Sequence, residues 1–364
     1  MADAGWMITD VGTSTAAFVA PSAGDTAQPR RVGSWGEFTE LYAPQKQRAE
    51  HAGANLAEAV HGYFANGGST CYVVGTAGDD LKAYTVALAA LEAVWDVHIV
   101  VLPDLWRSEA DAPAIAKAAA GHCAQAKNRM ALLHTGQDVS ASDAVKVPAL
   151  FGLDEDEAAF TTVYYPWLKV PGIGGAERVV PPSGHVAGAW ARNDAERGVF
   201  KAPANQGIRG AVDIAMPLTD ADNAPLNEAG VNCLRVLPGR GLLVWGARTL
   251  SVSRDWRYVH VRRLLNFLSE SIRTSTTWAA FEPNDATVQT SLRSSITSFL
   301  TDQWRQGALL GRTPNEAFYV ICDQTNNPPE SIKAGKIVMG IGVAPVRPAE
   351  FVHFTVAQTT GSAQ

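Results

Sequence analysis

The first half of the chain alternates between short apolar runs and longer stretches in which apolar side chains recur every three or four residues. Thr15 to Ala20 is a compact apolar run that predicts a strand, and Asn55 to Tyr63 has helical spacing through Leu56, Val60 and Phe64. Cys71 to Val74 again reads as a strand. Asp79 or Asp80 is placed to cap a helix running to about Val94, and His98 to Leu102 follows as a strand stopped by Pro103. An Ala-rich helix near Ala112 to Lys127, a strand at Met130 to His134 and another at Thr161 to Trp167 continue the alternation. Strands separated by helices of this length predict an α/β fold: an N-terminal, mostly parallel sheet flanked by helices.

From Lys169 to Pro217 the composition shifts to Pro, Gly and Ala around a helix predicted at Ser183 to about Arg197, which reads as the edge of a first domain. Beyond it, Asp255 to Arg273 places Tyr258, Val261, Leu265, Leu268 and Ile272 on one helical stripe, leaving Arg257, Arg262, Arg263 and Glu270 to stay wet. A second long helix starts after Pro283, with Asn284 or Asp285 at its cap, and presents Val288, Leu292, Ile296, Phe299, Leu300 and Trp304 before Gly307 ends it. Then the period changes to two. Phe318 to Cys322 and Ile337 to Val343 read as strands, the second with Ile337, Met339, Ile341 and Val343 on one face and Gly340 and Gly342 on the other, where they leave room for a close neighbour. The alternating segment Phe351, Val352, His353, Phe354, Thr355, Val356 comes last, with no later run to cover its edge. An uncovered edge exposes a row of backbone donors and acceptors, so this segment is expected to pair with another copy.

Composition narrows the classes. A chain of 364 residues, 46% hydrophobic and 18% charged, can bury a sizeable core and should divide into about two domains. A net charge of -6 argues against broad capture of nucleic acid, which needs concentrated Lys and Arg. Cys71, Cys123, Cys233 and Cys322 lie far apart with no C-x-x-C pair, so they read as small buried hydrophobes. The segment Met1 to Asp10 lacks the basic and apolar regions of a signal peptide, and no stretch reaches the ~18 apolar residues of a membrane span. The expectation is synthesis and folding in the cytosol without membrane insertion.

The searches for catalytic chemistry fail one by one. Pro171-Gly-Ile-Gly-Gly175 lacks the last glycine of a dinucleotide loop, Ala334-Gly-Lys336 sits in no phosphate-loop frame, and Asn66-Gly-Gly-Ser69 most simply ends a helix. Gly12-Thr-Ser-Thr15 opens a strand rather than forming a nucleophile elbow, and the eight histidines include no H-x-H or H-E-x-x-H pair. Asp79-Asp80 and Asp154-Glu-Asp-Glu157 suit helix starts, where carboxylates complement the dipole. No cofactor and no metal are therefore expected. The arginines at 254, 257, 262 and 263 have two readings: an exposed helical face, or a charge patch turned to a neighbouring subunit or to an inner tube.

One long, ordered set of residues does resemble a known family. Gly230-Val-Asn232, Gly241, Trp245 to Leu250, Trp256-Arg-Tyr258, Arg262-Arg263, Phe281 to Asn284 and Trp304 fit the tail sheath family of contractile phages and related injection systems. The fit continues through Gly307-Ala-Leu309, Gly311, Pro314, Glu316-Ala-Phe318, Cys322-Asp323, Asn327-Pro-Pro329 and Gly342 to Phe351. Towards the front, Gly12 to Val19, Phe64 to Gly68 and Cys71 to Val74 also fit, whereas Asp80 to Thr219 fits poorly. Members carry a longer lead ending in a Gly-Val-Tyr-Val-Glu-Glu-like segment, where this chain has Gly5-Trp-Met-Ile-Thr-Asp10.

The resemblance implies a helical array of six-fold rings around an inner tube, linked by strands exchanged from the chain ends and contracting to drive the tube through a target envelope. It implies a homo-oligomer that also meets tube, baseplate and cap proteins, with no nucleotide required. On that pattern Phe351 to Val356 is the donated strand and Ile337, Met339, Ile341 and Val343 belong to the receiving sheet. The domain expectation is an arm over 1-12, an α/β domain over 13-216, a C-terminal α+β sheath domain over 217-345 with exchanged terminal strands, and an arm over 346-364. The modest length favours a tail-like injection particle, assembled in the bacterial cytoplasm, over a large contractile virus. The alternatives are a baseplate or cap protein of the same particle, or an α/β nucleotide-binding enzyme.

Overall fold

The computed structural model describes residues 6–21, 27–42, 55–333 and 336–347. The first elements are β1 (Ala16–Pro21), β2 (Arg30–Val32), α1 (Trp35–Tyr42), α2 (Leu56–Asn66), β3 (Cys71–Thr76), α3 (Leu81–Ala90), β4 (Ile99–Val101), α4 (Ala112–Ala126) and β5 (Met130–His134). Three short helices, α5 (Ala141–Ala144), α6 (Val147–Leu150) and α7 (Glu155–Ala159), lead into β6 (Thr161–Tyr165). Next come β7 (Leu168–Pro171), β8 (Glu177–Val180), α8 (Ser183–Arg197), β9 (Gln206–Gly207), β10 (Asp213–Ile214), α9 (Asp220–Glu228), β11 (Val231–Leu237) and β12 (Gly241–Val244). The last are α10 (Val259–Ser275), α11 (Ala286–Arg305), α12 (Pro314–Ala317), β13 (Phe318–Ile321), α13 (Pro329–Lys333) and β14 (Gly340–Val343).

A nine-stranded sheet in the order β2-β3-β1-β4-β5-β6-β11-β12-β9 forms the centre, parallel from β3 to β11 and antiparallel at both edges. The continuous apolar run of β1 has a direct cause. Ala16, Phe18 and Ala20 point into the layer under α2 and α8, while Ala17 and Val19 point into the layer under α3 and α4. A strand covered on both faces has no wet side to encode. The expected boundary at 216 falls inside this sheet, because Val231 pairs with Val163 in parallel register and β12 extends the same array. A smaller sheet, β10-β7-β8, packs Leu168, Val170, Val180 and Ile214 into the layer under α2 and α8.

Local chemistry sets the element ends. Asp80 accepts the Ala83 N–H at 2.8 Å, Asp154 and Thr219 each open a capping box, and Asp285 accepts from Thr287 and Val288. Helices α2 and α8 approach closely because α8 turns Gly184 and Gly188 towards α2. A Cβ at Gly188 would lie 2.3 Å from the Tyr63 carbonyl oxygen, and one at Gly184 would lie 2.3 Å from that of Ala59. The C-terminal region packs α10 against α11 through Leu264, Phe267, Leu268, Ile296, Phe299 and Leu300.

The described part of the N-terminal segment lies along this C-terminal core. The Thr9 and Val11 N–H groups donate to the hydroxyls of Ser275 and Ser271 at 2.9 and 3.2 Å, and Trp6 stacks on Trp278. Among the described residues, no helix is long and apolar enough to cross a membrane and no group of His, Cys, Asp and Glu could hold a metal ion.

His98, His122, His134 and His185 are among the histidines sealed inside. Burial is the largest cause holding His98 and His134 down to about 3 and His122 and His185 down to about 4; Arg263 and Arg129 add to it at His98, and Arg129 at His122. Each stays neutral when folded but takes a proton below ~6.5 once unfolded, so the stability it confers is present above that pH and lost as pH falls. Between about pH 7.5 and pH 5.5 each histidine is expected to cost about 1.4 kcal/mol, or on the order of 5 kcal/mol together. Urea unfolding across that range measures this, and a flat profile would contradict it. Gly188→Ala provides a second check. Alanine normally gains about 1 kcal/mol in a helix, yet the 2.3 Å contact predicts a net loss of about 1–3 kcal/mol in the same assay.

Candidate assembly interface

Two polar links hold the C-terminal region on the large sheet. The first is Asn232 of β11. Its side chain accepts the Arg248 N–H at 2.7 Å and donates to the Arg248 carbonyl at 2.8 Å and to the Thr162 hydroxyl at 2.9 Å. Gly246 lies so close that a Cβ there would meet the Asn232 Oδ1 at 2.7 Å. The residues 230-232 and 245-250 are thus one clamp read at two places in the sequence. Thr249 continues it by donating its N–H to Arg257 and its hydroxyl to Trp256, at 2.8 and 2.7 Å.

The second link is Arg263 of α10, and it corrects the expectation of a wet face. Its guanidinium donates to both carboxylate oxygens of Asp194 on α8, at 3.0 and 2.5 Å, and to the Thr13 carbonyl at 3.0 Å, with both charged side chains buried. It also lies over the Trp190 ring at 4.6 Å. Glu270 is likewise buried rather than wet, because Arg273 reaches back to it at 2.6 Å. Arg262 is sandwiched between the rings of Phe160 and Trp256, at 4.5 and 4.1 Å, and burial lowers it to about 10. Arg254 is exposed and Arg257 half-buried. The structure therefore does not gather the four arginines into one charge patch: two of them serve the seam between the halves.

The small sheet follows from alternation. β13 and β14 pair antiparallel, with Phe318 opposite Val343, Tyr319 opposite Gly342, Val320 opposite Ile341 and Ile321 opposite Gly340. Phe318, Val320, Ile341 and Val343 face the α10–α11 core, while Tyr319 and Ile321 face outward. The room left by glycine is taken from within, since a Cβ at Gly342 would meet the Tyr319 ring at 2.1 Å. Among the described residues no third strand joins this pair.

The expected strand from Ile337 starts three residues later, at Gly340. Side-chain amides intercept the backbone before it: Asn327 accepts the Val338 N–H at 2.7 Å and donates to the Val338 carbonyl at 2.9 Å, and Asn284 donates to the Lys336 carbonyl. Ile337 and Met339 still point inward, as the alternation predicted, onto a cluster with Val288 and Leu292. After β14 the chain runs beside residues 308-310, with Leu310 N–H donating to Ala344 at 2.7 Å, and Arg347 pairs with Asp255 at 2.8 Å. Phe351 to Val356 and Pro348 lie outside the described residues. Sequence reasoning singled out Asn232 and Asn327 only as matches to a pattern; amides flanked by Gly and Pro were the available signal for backbone clamps.

Comparison with known proteins agrees with these features. The model of the phage tail sheath central domain matches residues 78–250, and that of the phage tail sheath C-terminal domain matches residues 251–359. The chain belongs to the phage tail sheath family. The central match includes the stretch from Asp80 to Thr219, where the residue pattern of the family fits poorly. A tail sheath protein of Vibrio phage KVP40 is 30% identical over 190 residues, covering 51% of this chain and 27% of that protein. A putative prophage major tail sheath protein of Pseudomonas aeruginosa is 28% identical, covering 50% and 47%. The matches thus span about half or less of these curated relatives. The sheath of an extracellular contractile injection system in its contracted state matches with TM-score 0.82 and 29% identity, over 97% of this chain and 94% of that one. The contracted helical sheath of the anti-feeding prophage matches with TM-score 0.80 and 29% identity, over 99% and 97%.

The seam makes a direct prediction. Arg263→Met leaves the Asp194 carboxylate buried without its partner, an expected loss of about 3–5 kcal/mol. Adding Asp194→Met should recover much of that loss. Denaturant titration of the two single variants and the double variant gives the coupling, and simple additivity would show that the pair does not act as a unit.

Proposed function

We propose that this chain is the structural, non-enzymatic subunit of a contractile tail sheath, polymerising as stacked six-fold rings around an inner tube and contracting to drive that tube through a target envelope. The observation that carries this reading is the match to a contracted injection-system sheath over nearly the full length of both chains. A chain within the six-fold symmetrised baseplate of the anti-feeding prophage also matches, with TM-score 0.80 and 28% identity, which supports contact with a baseplate. Tube and cap proteins are the further partners this role requires, and the particle is phage tail-like, built in the bacterial cytoplasm.

In this reading the two-stranded β13–β14 sheet is the receiving site. Two strands alone are marginal in water, and their outer edges carry backbone groups suited to an added strand. Ile337, Met339, Ile341 and Val343 anchor that sheet from within, and Phe351 to Val356 of a neighbouring copy supplies the added strand. Residues 1-12 begin the chain and 346-364 end it as linking segments. That β11 and β12 belong to the large sheet supports a division between the two bodies near residue 250. Arg254, exposed, and Arg257, half-buried, are in this reading the members of the arginine group available to a tube or a neighbour.

Deleting residues after Glu350 is expected to leave a folded monomer that no longer forms tubes. Negative-stain microscopy and circular dichroism of the truncated chain test this together. Normal tubes from the truncated chain would rule out strand donation from this end.

A further inference from the structure

One charged surface is used by none of the contacts above. Arg197 ends α8, Lys201 and Arg209 flank β9, and Arg240 tips the β11–β12 hairpin; all four are exposed. The segment from 193 to 209 ties them together. Arg197 and Gln206 both donate to the Asn193 side-chain oxygen, Arg240 donates to that of Asn205, and Asn66 holds the Arg209 backbone from both sides. Every side-chain bond here ends on a neutral oxygen. Among the described residues none of the four cations is ion-paired, and Glu196 is the acidic residue within that stretch left exposed. Lys201 and Arg240 also lie over the neutral rings of Phe200 and Trp245, so four cations face a single exposed carboxylate, and a surface with that excess of positive charge is complementary to an anionic partner.

We infer that this patch is a docking surface for a second copy of the same chain, received through the acidic run at Asp154, Glu155 and Asp156. The inference rests on the reading of the chain as a self-assembling subunit. Two observations favour a second copy. The chain is net negative, -6, although it carries this cationic group, so the rest of it is rich in carboxylate. The acidic run also lies on the opposite face of the large sheet: α7 packs with α4 in one layer, whereas Ile208, Ala202 and Ala204 pack in the layer of α8. A contact between unlike patches on opposite faces is head-to-tail, the kind that builds rings and helical filaments rather than closed dimers. Polar contacts of this type fix register while tolerating displacement, as a contracting array requires.

The test uses two variants of the full chain: Arg197→Glu/Arg209→Glu/Arg240→Glu, and Glu155→Lys/Asp156→Lys, which leaves the Asp154–Glu157 capping box in place but removes the bonds that Glu155 accepts from the Ser251 hydroxyl and the Ser253 N–H. Melting curves confirm that each is folded. Glutamine versions of the arginine variant replace it if it is not, and are then expected to weaken assembly and flatten its salt dependence. Each charge-reversed variant alone should need at least about tenfold more protein than wild type to form pelletable polymer at low salt. An equimolar mixture should assemble again, because each reversed surface then meets a reversed partner. An arginine variant that polymerises like wild type would overturn the inference. Folded variants that stay soluble when mixed would overturn the choice of partner and point to another acidic protein, such as an inner tube. Failure of the wild type itself to polymerise would instead remove the sheath reading.

Discussion

The placement of the C-terminal region depends on one buried ion pair, Arg263 with Asp194, and on what brings Asp194 there. Burying two charges is costly unless each finds partners for its remaining hydrogen-bonding capacity. Here Thr13 gives its hydroxyl to Asp194 and its carbonyl to Arg263, and the Trp190 ring covers the guanidinium. The site therefore needs the start of β1, the end of α8 and the first turns of α10 to be in place together. The close glycine contact between α8 and α2 positions Asp194, so a constraint made by absent side chains fixes where a charge can be satisfied.

Around that point the two halves are built on different principles. The large sheet is covered by helices on both faces, and its parallel strands are sealed in apolar layers. The C-terminal region has a compact helix pair but only two paired strands. Amides do much of the work that further strands would do, with Asn327 holding Val338 and Asn232 holding Arg248. The large sheet is covered on both faces, whereas the small one, among the described residues, ends on unpaired strand edges.

In the proposed sheath role, where copies change position without separating, this division is mechanically sensible. The seam of Arg263, Arg262 and Asn232 joins the body internally through specific, directional bonds, so displacement is expected in the links between copies. In that proposal, contacts through strand edges and opposite charges supply register. Apolar surface, which gives strength without direction, is largely kept inside.

The sequence by itself determined the alternating α/β plan, both long C-terminal helices, the placing of two helix caps to within a neighbouring pair (Asp79 or Asp80, Asn284 or Asp285) and the inward face of Ile337 to Val343, because each depends on neighbours within a few residues. The ordered matches from Gly230 to Gly342 also carried the family. The tertiary structure alone decided three things. It extended the sheet through β11 and β12, since strand order is not a local property. It delayed β14 to Gly340, since Asn284 and Asn327 compete for the backbone from far along the chain. It turned Arg263 inward, because a helical stripe tells which side chains are apolar but not where a distant carboxylate waits to neutralise a charge, and it buried Glu270 beside Arg273 of the same helix. Periodicity counts polarity along one element, whereas burial of a charge is settled by the elements packed against it.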